Sequence, residues 1–419
     1  MIDRYIAKAK EVIDRCNKLA KFSETPGVTT RTFLSPPMRD CHREIRRWVE
    51  SWDAQPSIDA AGNFRAVYGG QSPDVPRLLM GSHLDTVPNA GAYDGILGVA
   101  LAVAVLESLD GKRLPFAIEL IGFSEEDGVR FKTPFLGSRA LVGRLDQGLL
   151  ERVDANGISI LQAIEDFGLS PSQIPDAALK DNILGYIEFH IEQGPVLDQL
   201  NRSLGVVDAI VGQSRAEFTF IGSANHAGTT PMNLRRDAIA AAAEWIVAVE
   251  AKALGTAELT ATVGTIEAKP GAANVIAGKA RVTVDLRHRS DEVRRGALKS
   301  LTGKAAEIAG RRGLTLGHTI QLDQNAVAMD SFLAGKIDEA IRRAGCEPLR
   351  MVSGAGHDAM ILAERVPAAM VFLRSPGGVS HSPEETVKVE DVATALEAGI
   401  HLLDLLASSS AFQRRMQRA

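Results

Sequence analysis

Cysteine is scarce in this chain: Cys16, Cys41 and Cys346 are the only three among 419 residues. An odd, widely spaced set with no C-x-x-C excludes a disulfide framework and a thiolate metal site. Aromatic residues amount to 5%, which leaves little stacking surface. No concentrated basic run stands against the formal net charge of -5, so nucleic acid is not an expected partner. Long apolar runs are missing as well. Residues 96–106 are too few and residues 238–249 are interrupted by Glu244, so no bilayer span and no membrane partner are expected. The first thirteen residues mix charges with apolar residues at helical spacing and lack the apolar core of a signal peptide, which makes the cytoplasm the expected location. No internal repeat or low-complexity segment stands out, and the polar, basic tail 408–419 is expected to fray.

Four clusters of metal-type side chains are present. The short apolar run Arg77-Leu-Leu-Met-Gly-Ser-His83 reads as a buried strand that delivers His83 at its carboxyl end, and Asp94 follows eleven residues later in Tyr93-Asp94-Gly95. The acidic triplet Glu125-Glu126-Asp127 comes directly after the strand-like run 116–123. Three adjacent carboxylates repel one another unless a cation neutralises them. His190 ends the strand pattern starting at Tyr186, and His381 lies just beyond the apolar run 368–373. Any one of these would be unremarkable alone. Four strand ends bearing His or carboxylate, bordered by Gly, would collect unpaired polar groups at one sheet end without purpose unless they held metal. Imidazole and carboxylate without thiolate suit Zn²⁺ or Mn²⁺ in a hydrolytic site, and the same donors accept Co²⁺ or Ni²⁺.

The runs Gly-Ser-His-Leu-Asp-Thr-Val (81–87), Asp-Gly-Val-Arg-Phe (127–131), Phe-Leu-Gly-Ser (135–138), His-Ile-Glu-Gln-Gly-Pro-Val-Leu (190–197) and Asn-His-Ala-Gly-Thr-Thr-Pro-Met (225–232) resemble the ureido amidohydrolases. That family contains allantoate amidohydrolase, N-carbamoyl-L-amino-acid hydrolase and one type of β-ureidopropionase, and shares its fold with dinuclear zinc aminopeptidases and carboxypeptidases. The resemblance runs from about residue 10 to 408. It implies two divalent metal ions per subunit: His83 and His190 on one, Asp94 bridging, His381 and Asp127 on the other. Family members usually show Glu-Glu-Gly-x-Arg-Phe, so anchoring on Gly128-Val-Arg-Phe131 implies Glu126 as general base and Asp127 as a ligand one methylene shorter than usual. A register with Glu125 as base and Glu126 as ligand is the alternative. The resemblance also implies Gln193, His226, Asn274, Arg287 and His357 as substrate contacts, with His226 donating to the tetrahedral oxyanion and Arg287 forking onto the substrate carboxylate. In relatives the histidine matching His226 reaches the partner subunit's site, so a homodimer is expected.

The length suggests about two domains. Residues 1–211 alternate helical and strand patterns, as in an α/β sheet with helices on both faces. Residues 212–325 read strand (216–221), helix (236–253), two strands (260–267, 280–287), helix (291–309) and strand (315–322). They form an inserted α+β unit with a four-stranded sheet, to which the resemblance assigns lid and dimerisation roles. Residues 326–419 return to the first domain, beginning with a helix at 331–344. The expected activity is hydrolysis of a ureido C–N bond in a carboxylate-bearing substrate, allantoate ahead of an N-carbamoyl-L-amino acid or N-carbamoyl-β-alanine, releasing ammonia and carbon dioxide. A peptidase or deacylase of the same fold is disfavoured by His190, where family peptidases more often carry a carboxylate. A metal-binding module without catalysis is disfavoured by Glu126 beside a full ligand set.

Overall fold

The computed structural model describes residues 3–50, 52 and 56–417. It divides into two compact units, residues 1–208 with 329–419 and residues 209–328, so the boundaries fall three residues from those read at 211/212 and 325/326.

In the first unit the strands Phe64–Tyr68, Ala117–Phe123, Arg77–His83, Ile183–Ile191, Ala368–Leu373 and Leu204–Ile210 lie side by side in that order. The middle four are parallel, so their carboxyl ends share one edge of the sheet. Apart from Arg77 and Ile183 at the strand starts, each is buried on both faces and mostly apolar, the pattern of parallel strands covered by helices. The helix Ile96–Glu107 has no polar face and is accordingly enclosed, packed on the sheet beneath the helices Asp3–Ala20 and Val389–Ser408. Gly98 permits its close approach, since a Cβ there would lie 2.1 Å from the Phe189 carbonyl oxygen. The short helices Leu136–Leu141 and Asp358–Leu362 pack on each other and the second also on the sheet. No single helix among the described residues is long and apolar enough to cross a membrane.

The expected fraying of the tail is not what the structure has. Ser410–Met416 is helical, capped by Ser409, and Phe412 is fully buried between Phe116 and Phe332. Arg415 lies over the Phe332 ring and pairs with Asp330 at 3.1 Å. A single aromatic anchor outweighs the polar composition around it.

The second unit is an antiparallel sheet in the order Thr315–Gln324, Gly212–Ile221, Lys279–His288, Thr260–Lys269. The helices Ala238–Leu254 and Asp291–Arg311 cover it through a core of Phe218, Phe220, Trp245, Val282, Leu286, Leu301 and Ile308. Alternation along Gly212–Ile221 and Lys279–His288 turns every second residue to this core and leaves Gln213, Arg215, Asp285 and Arg287 on the other face.

One buried group of the first unit makes stability depend on pH. His42 is enclosed between Phe64 and Phe167, its Nε2 has no partner, and burial, with the charges of Arg31, Arg39 and Arg46, holds its pKa down to about 3. Between that value and 6.5 the unfolded chain binds a proton that the folded chain does not, so stability falls as pH falls through this window. Metal-free wild type should therefore lose about 2–3 kcal/mol more than His42→Leu between pH 6.5 and 4.5 in urea titrations. Parallel pH profiles for the two proteins would count against this linkage.

Candidate metal centre

His83 terminates its strand, His190 lies one residue from the end of the adjacent parallel strand, and the acidic triplet follows the strand Ala117–Phe123. His381 arrives on a loop beyond Ala368–Leu373. The shared strand edge thus gathers His83 and His381 from distant parts of the chain, as open α/β sheets do with their sites.

The imidazoles are already oriented. His83 Nδ1 is 3.1 Å from the Asp85 carbonyl oxygen, and His190 Nδ1 is 2.9 Å from that of Ile191. A carbonyl only accepts, so each Nδ1 carries a proton, and in the neutral ring that a metal would ligate each Nε2 presents a lone pair. The two Nε2 atoms face each other at 3.3 Å. Two nitrogen ligands at about 2.0–2.1 Å from one tetrahedral cation stand about 3.3–3.4 Å apart, so the pair is spaced for a shared metal ion. Asp94 places Oδ1 3.4 Å from His190 Nε2 and Oδ2 3.1 Å from His381 Nε2, one carboxylate with an oxygen on each side. Asp127 groups with Asp94 and His381, and also with His83 and Asp85, and its Oδ2 is buried without a partner. This donor set fits divalent metal, and the orphaned oxygen and facing lone pairs are what such an ion would satisfy. A further group, Glu188, His190 and His357, competes for the same His190 lone pair, and Glu188 is taken up by the Ser82 hydroxyl and the Ala359 N–H.

Within the acidic triplet the three carboxylates are differently employed. Glu125 accepts the backbone N–H groups of Gly128 and Val129 and braces the turn. Asp85 accepts the N–H of Glu126 at 2.9 Å and of Asp127 at 3.1 Å, which fixes the backbone from which both side chains project. Burial, reinforced by Asp127, Asp358 and Asp85, raises the Glu126 carboxyl well above the usual range against the opposing charge of His83. Burial and then Asp85 push Asp127 up to about 7. Asp94 is held below its ordinary value: burial opposes ionisation, but the hydrogen bond from His381 and the charges of His190 and His83 prevail.

Gln193 joins this centre, its Nε2 donating to Asp94 Oδ1 at 2.9 Å and lying 3.3 Å from His381 Nε2. Gln193 and His381 both have positive φ, 58° and 54°, strain of the kind that gathers at functional loops. His357 is buried against His190, ring centroids 4.5 Å apart, with Nε2 at 2.8 Å from Ser353 Oγ. His226, Asn274 and Arg287 belong to the second unit. His226 is exposed and pairs in a short ladder with Val275, beside Asn274. Arg287 is engaged by Asp285 through Nε and Nη2 at 3.0 and 3.2 Å. His288 accepts the Ser290 N–H at Nδ1 and donates from Nε2 to the Ala257 carbonyl, so it is structural. The sequence reading passed over Asp85, Glu188 and Glu385. Asp85 had a signal, since a carboxylate two residues after a strand histidine can reach the same side of the chain.

Imidazole and carboxylate donors collected at the carboxyl edge of a covered mixed sheet, with a four-stranded unit inserted in the chain, define a divalent-metal hydrolase. The chain belongs to peptidase family M20/M25/M40, whose profile matches residues 79–405. Among its relatives, the N-carbamoyl-L-amino acid amidohydrolase of Geobacillus stearothermophilus is 39% identical over 94% of this chain and 97% of its own. Allantoate deiminase 2 of Glycine max is 37% identical over 94% and 89% respectively. The crystal structure of an amidase of the hydantoinase/carbamoylase family from Burkholderia multivorans superposes with a TM-score of 0.89 at 31% identity, covering 94% of this chain and 97% of that one.

Proposed function

We propose that this protein hydrolyses the ureido C–N bond of a carboxylate-bearing substrate, with allantoate as the first candidate and an N-carbamoyl-L-amino acid as the second. The observation that carries this reading is Asp94, whose two oxygens face His190 and His381 separately, the arrangement of a carboxylate shared by two cations. The second candidate stands because the relatives named for either substrate are similar to this chain to nearly the same degree.

His83, His190, Asp94, Asp127 and His381 would hold two divalent ions, zinc or manganese in this reading, which when bound would supply a water of lowered proton affinity and a polarised ureido carbonyl. Glu126 takes the proton from the attacking water and returns it to the leaving nitrogen. The ureido C–N bond breaks, and the carbamate so released decomposes to ammonia and carbon dioxide. Gln193 and His357 orient the substrate beside the ligands. His226 is suited to the oxyanion by its tautomer: Nδ1 accepts the N–H groups of Gly228 and Thr229 at 3.1 and 3.2 Å, so the neutral ring presents an Nε2–H donor outward. Asn274 and Arg287 bind the carboxylate end. Ammonia release by the metal-loaded protein on allantoate, N-carbamoyl-β-alanine and several N-carbamoyl-L-amino acids, with free amine release followed on an N-acetyl amino acid, tests the class, and turnover confined to the N-acetyl substrate would replace it with a deacylase.

In this reading the protein is a homodimer in which His226 of one copy serves the site of the other. Subunits of His226→Ala and Glu126→Gln, each nearly inactive, should then complement. Equal exchange makes half the dimers mixed, each with one site intact, so about a quarter of wild-type activity is expected. If native mass spectrometry finds heterodimers but ammonia release stays at parental levels, His226 acts within its own chain or outside catalysis.

A further inference from the structure

Asp94 and His381 stand on irregular segments nearly 290 residues apart, yet Asp94 Oδ2 and His381 Nε2 lie 3.1 Å from each other. Neither is fixed by a strand in the way His83 and His190 are. The turn bearing Asp94 runs into the helix Ile96–Glu107, whose N-cap residue Gly95 offers no side-chain acceptor, and the His381 loop adopts left-handed backbone at His381 itself.

Glu385 bridges the two. It is buried, and its Oε1 accepts the backbone N–H of Tyr93 at 2.9 Å and of Asp94 at 3.1 Å. Its Oε2 accepts the Ser380 hydroxyl at 3.2 Å, and its own N–H donates to the Ser382 carbonyl at 3.0 Å. One carboxylate therefore holds the residue before His381 and the main chain of Asp94 together. Gly91 makes room for it: a Cβ at that position would lie 2.4 Å from Glu385 Cβ and 2.5 Å from Oε1. With both oxygens committed to these donors, Glu385 is outside every group of side chains spaced to hold a cation among the described residues. Its effect is on where the ligands stand.

We propose that Glu385 is a positioning residue that locks Asp94 and His381 into a single ligand geometry, an inference that rests on the metal-centre reading above. The test is Zn²⁺ affinity of the full-length protein, measured by competition with a chromogenic chelator, alongside thermal unfolding of the metal-free forms. E385A should lose about 10–100-fold in affinity, the range for removing a group that orients metal ligands, while E385Q should stay within about threefold because its amide oxygen still accepts both N–H groups and its amide nitrogen can donate to Ser380. G91A keeps the carboxylate but displaces it, and should weaken Zn²⁺ binding in the direction of E385A. It also answers the question if E385A does not fold. Wild-type affinity in G91A or in folded E385A, whatever happens to the metal-free melting temperature, assigns Glu385 to folding alone and overturns the proposal. Wild-type protein that takes up no Zn²⁺ overturns the metal-centre reading first, and this inference with it.

Discussion

Glu126→Gln is expected to lower kcat by about 10²–10⁴-fold, the contribution typical of a positioned proton acceptor, while metal content stays at the wild-type level. The amide keeps the size of the side chain and leaves its N–H bond to Asp85 untouched, so only the capacity to take a proton disappears. Glu125→Gln makes the informative companion. Glu125 holds the N–H groups of Gly128 and Val129, and an amide there keeps one acceptor oxygen for them. Its cost should fall on stability and modestly on turnover. The reverse outcome, with Glu125→Gln inactive and Glu126→Gln depleted of metal by elemental analysis, would move the base one residue towards the N-terminus.

Replacing Arg287 should cost about 2–4 kcal/mol in kcat/KM on a carboxylate-bearing ureide, as expected when one partner of a hydrogen-bonded charge pair is removed. Arg287→Lys should recover little. The guanidinium is held against Asp285 through two nitrogens while Arg215 and Gln213 also donate to that carboxylate, so its plane is set before any ligand arrives. An ammonium cannot satisfy Asp285 in a fork and offer a second parallel pair of donors. Comparing Arg287→Ala on a ureido acid and on the corresponding ureido amide isolates the contribution of the carboxylate. Equal losses on both would remove Arg287 from substrate recognition and leave it as a strand residue that neutralises Asp285.

Much of the catalytic unit was legible because its signal is local. The runs ending at His83, at Phe123 and at Leu373 are apolar on both faces, and a run of that kind between polar turns marks a covered parallel strand wherever it sits in the chain. In the inserted unit the strands Gly212–Ile221 and Lys279–His288 carry an equally local signal, a buried residue at every second position. What was not legible depends on distant partners. Glu385 looked like one more acid in a polar loop, and only the fold sets it against Tyr93 and Asp94. Phe412 stood alone among Gln and Arg, and nothing nearby announced that Phe116 and Phe332 leave a place for it. The division of labour within Glu125, Glu126 and Asp127 was ambiguous by one position, since three adjacent acids carry no register of their own. The hydrogen bonds from Gly128 and Val129 engage one oxygen of Glu125, in keeping with the proposed assignment of Glu126 and Asp127 as the reactive pair.

The interleaving of the sheet also dictates a timetable for synthesis. Ala368–Leu373 lies between Ile183–Ile191 and Leu204–Ile210, so the ribosome has released more than 360 residues before the middle of the first unit can close. The inserted unit, by contrast, is one continuous segment, available for folding while its host is still a partial sheet with unpaired strands. His381 and Glu385 emerge later still, and Phe412 after them. A nascent chain therefore holds His83, Asp94 and His190 without the loop that completes the donor set, and a metal ion that needs His381 can be held only after that loop has emerged.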